Sequence, residues 1–169
     1  MQSSEGKLGR IFVLRLEDGD RIPDCIETFA TDKKILMASV TLIGGIGKGQ
    51  IVAGPRDSDT FPPKPMLVPL DGAHEIVGVG LIAPDENGQP SLHMHASLGR
   101  SGQAKTGCLR PGVETWTIGE AVIYEIVGAS GSRLHDKKTG FELLTIEDLH
   151  ASGTPKKVAK NLTAKKAPK

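Results

Sequence analysis

Apolar and polar residues alternate with a period of two over most of this chain, and that alternation predicts strands. Residues 10–16 (RIFVLRL), 75–82, 92–98 and 115–127 carry it, the last with a bend at Gly119, and residues 141–146 supply a closing strand. One segment departs from it. After the EDGD turn, Ile22, Ile26 and Phe29 recur at the spacing of a helix face, with Asp20 placed as a cap and Pro23 early enough to be tolerated. Cys25 neighbours that stripe and reads as a packing cysteine. In residues 35–54 aliphatic side chains mix with closely spaced glycines, which predicts a bulged or sharply bent strand pair. Residues 54–69, rich in proline, read as a long surface loop. Several strands and one helix without regular strand–helix alternation predict a compact α+β domain, its antiparallel or mixed sheet packed by at least one helix.

Composition narrows the function classes. The 169 residues, 38% hydrophobic, suit one domain with one substantial core. Six aromatic residues, four Phe with Trp116 and Tyr124, are too few for a base-stacking platform. No apolar run is long enough for a membrane span and the first ten residues lack a secretory core, so the expectation is a cytoplasmic protein with no membrane partner. Cys25 and Cys108 alone do not make a disulfide framework. The net charge of +1 conceals an asymmetry. Residues 1–150 hold 15 Lys or Arg against 20 Asp or Glu, whereas 151–169 hold Lys156, Lys157, Lys160, Lys165, Lys166 and Lys169 with no acid. The expectation is an acidic body carrying a flexible lysine-rich tail with little apolar area to offset its ordering.

Two glycine patterns imitate nucleotide motifs. In GGIGKG, residues 44–49, the upstream glycine of a phosphate loop falls on Ile43 or Leu42, and Gly49 stands where Ser or Thr is required. Gly78, Gly80 and Ala83 superficially fit a dinucleotide fingerprint, but they lie in a strand-like segment that ends at Pro84, with no helix to receive a pyrophosphate. Close strand approach accounts for these glycines better.

The most informative stretch is SLHMHASLGR, residues 91–100. In a strand, His93 and His95 project to one face while Leu92, Met94, Ala96 and Leu98 project to the other, so two imidazoles can converge on one metal as the opposite side packs. The pair could equally hydrogen-bond or face solvent. A chain reversal after His95 would bring Cys108 of TGCLRPG beside them as a third ligand; otherwise Cys108 is a small residue in a glycine-bounded turn. Thiolate and imidazole suit Zn²⁺ first, and the donor types also admit Fe, Ni or Co.

These segments, in order VLRLEDGDRIPDCIETFATDKKI, SVTLIGGIGKGQIV, HEIVGVGLI, PSLHMHASLGR, TGCLRPG and ETWTIGEAVIYEI, resemble the plants-and-prokaryotes-conserved (PPC or PCC) domain over residues 8–128. The resemblance implies a compact α+β unit that assembles as a homotrimer, with residues 1–7 as an extension, 8–150 as the domain and 151–169 as the tail. Prokaryotic relatives are described as DNA-binding. His93 and His95 fall on the family's histidine strand and Glu75 on the acidic residue opening an earlier strand. Cys108 stands where the family's third histidine is expected, which retains a metal ligand but rules out a three-histidine site. Similarity of the fold to acetolactate decarboxylase adds weight to a metal.

Two functions follow as expectations. One is a bacterial DNA-binding protein, nucleoid-associated, whose six tail lysines attract duplex DNA weakly and without sequence preference, around a core holding one transition metal per chain. The other is a metal-dependent lyase or hydrolase, with Glu75 as candidate acid or base and Arg100 or Arg110 holding a small anionic ligand near the metal. Glu75 reads equally as an interstrand ion-pair residue. Glu120 is expected to be buried and paired.

Overall fold

The computed structural model describes residues 1–146. The chain runs β1 (Lys7–Leu16), β2 (Arg21–Ile22), α1 (Asp24–Lys33), β3 (Ala38–Lys48), β4 (Gln50–Pro55), β5 (Pro65–Pro69), β6 (His74–Pro84), β7 (Pro90–Arg100), β8 (Gln103–Leu109), β9 (Val113–Val127), β10 (Ser132–Asp136) and β11 (Phe141–Thr145). The fold is mostly antiparallel β with a single ten-residue helix, so the expected α+β balance shifts toward mainly β. Nine strands form one sheet in the order β1-β9-β3-β6-β7-β8-β4-β5, with β2 also paired to β9, and every pairing in it is antiparallel.

The period-two pattern sorts the sheet into two faces. On the inner face Phe12 and Leu14 of β1, Ala121 and Ile123 of β9, Val40 and Leu42 of β3, Ile76 and Ile82 of β6, and Met94 and Leu98 of β7 join one core. Helix α1 covers it with Ile26 and Ala30, while Phe29 meets Phe12 edge-on at 5.3 Å. A fully buried Ile or Leu contributes about 1.5–3 kcal/mol, so this apolar face dominates the stability. Arg10 ties the helix end to the sheet, donating to Lys33 O at 3.0 Å and to both carboxylate oxygens of Glu125 at 2.7 Å.

Several expectations need correction. Asp20 does not cap α1. Pro23 occupies the N-cap with no side-chain hydrogen bond, and Asp20 Oδ2 instead accepts from the Glu17 amide at 2.8 Å. The glycine-rich segment does form two strands, but β3 pairs with β6 and β9 while β4 pairs with β5 and β8, so they are not partners of each other. The proline-rich loop ends in β5, since Val68 and Leu67 find partners in Ile51 and Val52. Residues 141–145 do not close the main sheet; β11 pairs with β10 in a separate hairpin. The irregularity of β9 centres not on Gly119 but on Thr117, whose φ is 62°. The tail lies outside the described residues, and no helix among those described is long and apolar enough to cross a membrane.

Candidate metal centre and its cleft

Strand β7 presents His93 and His95 outward because Leu92, Met94, Ala96 and Leu98 are buried on its other side. Its neighbour β8 runs antiparallel in a register that sets Cys108 opposite His95 and Thr106 opposite Ser97. Cross-strand partners share a face, so the thiol arrives on the imidazole side without any special turn. TGCL is therefore strand and not the glycine-bounded turn that was the alternative to ligation. Gly107 permits this, since a Cβ there would lie 2.3 Å from Val52 O on β4.

The ligand atoms of His93, His95 and Cys108 all lie within 4.8 Å of one another. The two Nε2 atoms are 3.2 Å apart, with ring centroids at 5.0 Å and planes at 72°. Metal–nitrogen bonds of about 2.0–2.1 Å set tetrahedral nitrogen donors roughly 3.3 Å apart, which the two imidazoles meet, and a small side-chain shift of Cys108 would complete a three-donor set for Zn²⁺ or a similar ion with a position left open. Burial lowers the pKa of His93, assisted by the charges of Arg133, His95 and Arg110, which favours the neutral, ligating imidazole. Burial raises that of Cys108, opposed by Arg110 and Arg133.

A cleft of about 670 Å³ opens beside these residues. Its origin is a mismatch in strand length. The β7–β8 pairing begins at His95–Cys108, so the start of β7 outruns β8 and has no neighbour on that side. The Leu92 amide is satisfied instead by Glu27 Oε1 of α1 at 2.7 Å. Burial raises the pKa of Glu27, the acidic residue whose carboxylate closes this gap and lines the cleft. Arg110 and Arg133 line it as well.

Arg133, on β10, was not expected from the sequence. It is 6% exposed, donates from Nη2 to Leu81 O at 2.8 Å and from Nε to Ser91 O at 3.5 Å, and has no carboxylate partner among the described residues. Burial lowers its pKa. The turn DKKTG between two alternating runs could have revealed the hairpin, but nothing local to it says that the hairpin packs beside His93.

Other expected site residues lie elsewhere. Glu75 is exposed opposite Gly99, at the far end of β6 from Leu81, the partner of His93, and does not line the cleft. Arg100 turns away to donate to Ala73 O at 3.0 Å. Glu120 is exposed opposite Ile43 and Arg15, contrary to the buried position expected for it. Cys25 is half-buried against the core with its pKa pushed up to about 11, chiefly by burial, as suits a packing thiol. The six lysines Lys156 to Lys169 lie outside the described residues.

The model of the Plants and Prokaryotes Conserved (PCC) domain matches residues 3–127, which leaves the β10–β11 hairpin outside the match. No curated protein matches the sequence. Among solved structures, a metal-containing protein from Archaeoglobus fulgidus is 26% identical with a TM-score of 0.75, covering 86% of this chain and 99% of its own. A plant- and prokaryote-conserved protein from Pyrococcus horikoshii is 24% identical at TM-score 0.72, covering 88% and 99%. A "putative DNA binding protein" from Bacteroides thetaiotaomicron is 23% identical at TM-score 0.69, covering 85% and 97%.

Proposed function

The chain belongs to the Plants and Prokaryotes Conserved domain family, and on that premise we propose that its domain, spanning residues 8–150, holds one transition metal ion, Zn²⁺ first among the candidates, on His93, His95 and Cys108. The observation that carries this reading is the gathering of three soft or borderline donors within 4.8 Å of one another at the wall of a cleft. The metal-containing relative from Archaeoglobus fulgidus supports it. A bound ion would supply Lewis acidity at its open position. The protein's own residues would hold the ion and keep a cationic field from Arg110 and Arg133 near it. Elemental analysis of untreated protein tests the reading: about one metal per chain is expected, falling in each of His93→Ala, His95→Ala and Cys108→Ala. Undiminished metal in all three variants would sink it.

The assembly proposed is a homotrimer. Ile11 and Val13 of β1, Ile43 of β3, and Val77 and Val79 of β6 are more than half exposed, and the registers through β9 put all five on the outer face of the sheet. Such a face suits burial against a second copy.

A second reading, weak association with duplex DNA in the cytoplasm or nucleoid, is favoured by the six lysines beyond residue 150 and by the description of the Bacteroides thetaiotaomicron relative. Three tails on one trimer would raise the local lysine concentration. Deleting residues 151–169 should then abolish most binding to long duplex DNA, and the intact protein should lose affinity steeply as salt rises. Binding that survives tail deletion would reject the tail as its source.

A further inference from the structure

The cleft contains a feature that metal ligation does not use. Arg133 is 6% exposed, yet it is held by two backbone carbonyls and paired with no carboxylate among the described residues. Burying a guanidinium without a counter-charge is costly, and a fold retains one more readily when something anionic completes the pair. The two carbonyl contacts use Nε and Nη2, which leaves Nη1 without a hydrogen-bond partner among the described residues.

The surroundings define what the missing partner can be. Arg110 lines the same cleft and adds a second positive charge. Glu27 also lines it, but one oxygen of that carboxylate is committed to the Leu92 amide and it makes no ion pair with Arg133. Asp24 and Glu142 line it too, their carboxylates facing Arg21 at 3.8 Å and His135 at 2.9 Å, and the rest of the wall is largely apolar, with Val52, Leu92, Leu109 and several prolines. A volume of about 670 Å³ lies within the range of small-molecule sites, roughly 300–1,000 Å³.

We infer that Arg133 anchors the carboxylate of a small organic acid, whose carbon skeleton lies against the apolar walls and whose other end faces the His93, His95 and Cys108 cluster. The planar guanidinium matches a carboxylate, and the apolar lining favours an organic anion over a fully hydrated inorganic one. The β10–β11 hairpin brings this residue, and it lies outside the segment that matches the family model. The inference goes beyond the metal reading and stands without it, because the arginine is fixed by backbone carbonyls and not by the metal ligands.

Isothermal titration of the full-length protein with succinate in a low-chloride buffer tests the anchor, with succinamide and inorganic phosphate as parallel probes. Saturable succinate binding is expected, weakened by about ten-fold or more in Arg133→Gln, which matches the loss of a charge-assisted hydrogen bond. Succinamide should not bind, and phosphate should bind more weakly than succinate. His93→Ala should lose metal but retain an anion response that Arg133→Gln lacks, which separates failure of the anchor from failure of the metal site. Circular dichroism checks folding. Should Arg133→Gln not fold, Arg133→Lys decides, since its ammonium can still donate to Leu81 O but loses the two-pronged geometry; a several-fold weakening is expected. Equal succinate affinity in the wild type and the folded arginine variant, absence of any succinate binding, or a preference for phosphate would each overturn the inference.

Discussion

Cys108 stands directly opposite His95 across the β7–β8 ladder. One register pair thus joins a thiol and an imidazole on the outer face, and the period of two along β7 adds His93. The site depends on ladder hydrogen bonds more than on any loop, so its geometry is as rigid as the sheet that carries it.

Substituting Co²⁺ for the native metal should give visible bands of a tetrahedral site and a near-ultraviolet thiolate-to-metal band. Cys108→Ser should lose the ultraviolet band and weaken metal binding by about ten-fold or more, since even outer-shell changes cost about that much. Cys25→Ser should leave the spectrum unchanged, because Cys25, in the first turn of α1, packs against the core. Absorption spectroscopy of the three proteins checks this; a band that follows Cys25 would refute the assignment.

Gly107→Ala should destabilise the fold by about 1–3 kcal/mol or more, because the added methyl meets backbone atoms that can yield only if a strand moves. The new Cβ would lie 2.3 Å from Val52 O and 2.8 Å from Val52 C, both on β4. Metal content should fall with it as Cys108 shifts. Gly99→Ala is the control, its nearest contact being Gln103 O at 3.9 Å. Denaturant unfolding of both variants, with elemental analysis, gives the comparison; equal stability would show that β4 yields freely.

Val13→Asp should dissociate the assembly while leaving the protomer folded. Val13, opposite Val122, is 79% exposed in the single chain, so a carboxylate there meets water, whereas in an interface it would be buried without a partner. Sedimentation velocity should report a trimer for the parent and a monomer for the variant. A variant that remains trimeric would move the interface to another surface.

The Arg10–Glu125 pair predicts an acid limb of stability. The side-chain and backbone hydrogen bonds from Arg10 hold Glu125 at about 2, below its ordinary 4.5. A depressed carboxyl contributes its stabilisation fully above the unfolded value, and loses it as pH falls through the folded one. Stability should therefore decline between about pH 4.5 and about 2, and Glu125→Gln should flatten that part of the profile while lowering stability at neutral pH. Thermal unfolding against pH measures both; identical acid limbs in parent and variant would exclude Glu125 as the source.

Much of the fold was legible because local physics writes it into the chain. Alternation in residues 10–16, 75–82 and 92–98 had one solution, a strand with a buried face, and Ile26 and Phe29 of the four-and-three spacing fall in α1, whereas Ile22, read as the start of that stripe, lies in β2 opposite Val113. The strand β5 was hidden by prolines that suit a sheet edge as well as a loop. The strand β10 was hidden because a short hairpin with half-exposed faces has little contrast between its two sides.

For the site, the sequence by itself determined that His93 and His95 share a face, because side-chain direction in a strand is fixed by a period of two. It also placed Cys108 within reach without saying how it would arrive. Only the tertiary structure decided that Cys108 faces His95, because register depends on which strands pair, and pairing between distant segments is set by the burial of both. The same holds for Glu75 and Arg133. Chain position suggested the first and gave no hint of the second, yet the sheet carries Glu75 away from the cleft, and the β10–β11 hairpin delivers Arg133 to it from 38 residues beyond His95. A guanidinium's neighbours are a property of the packed sheet and not of the residues beside it in the chain.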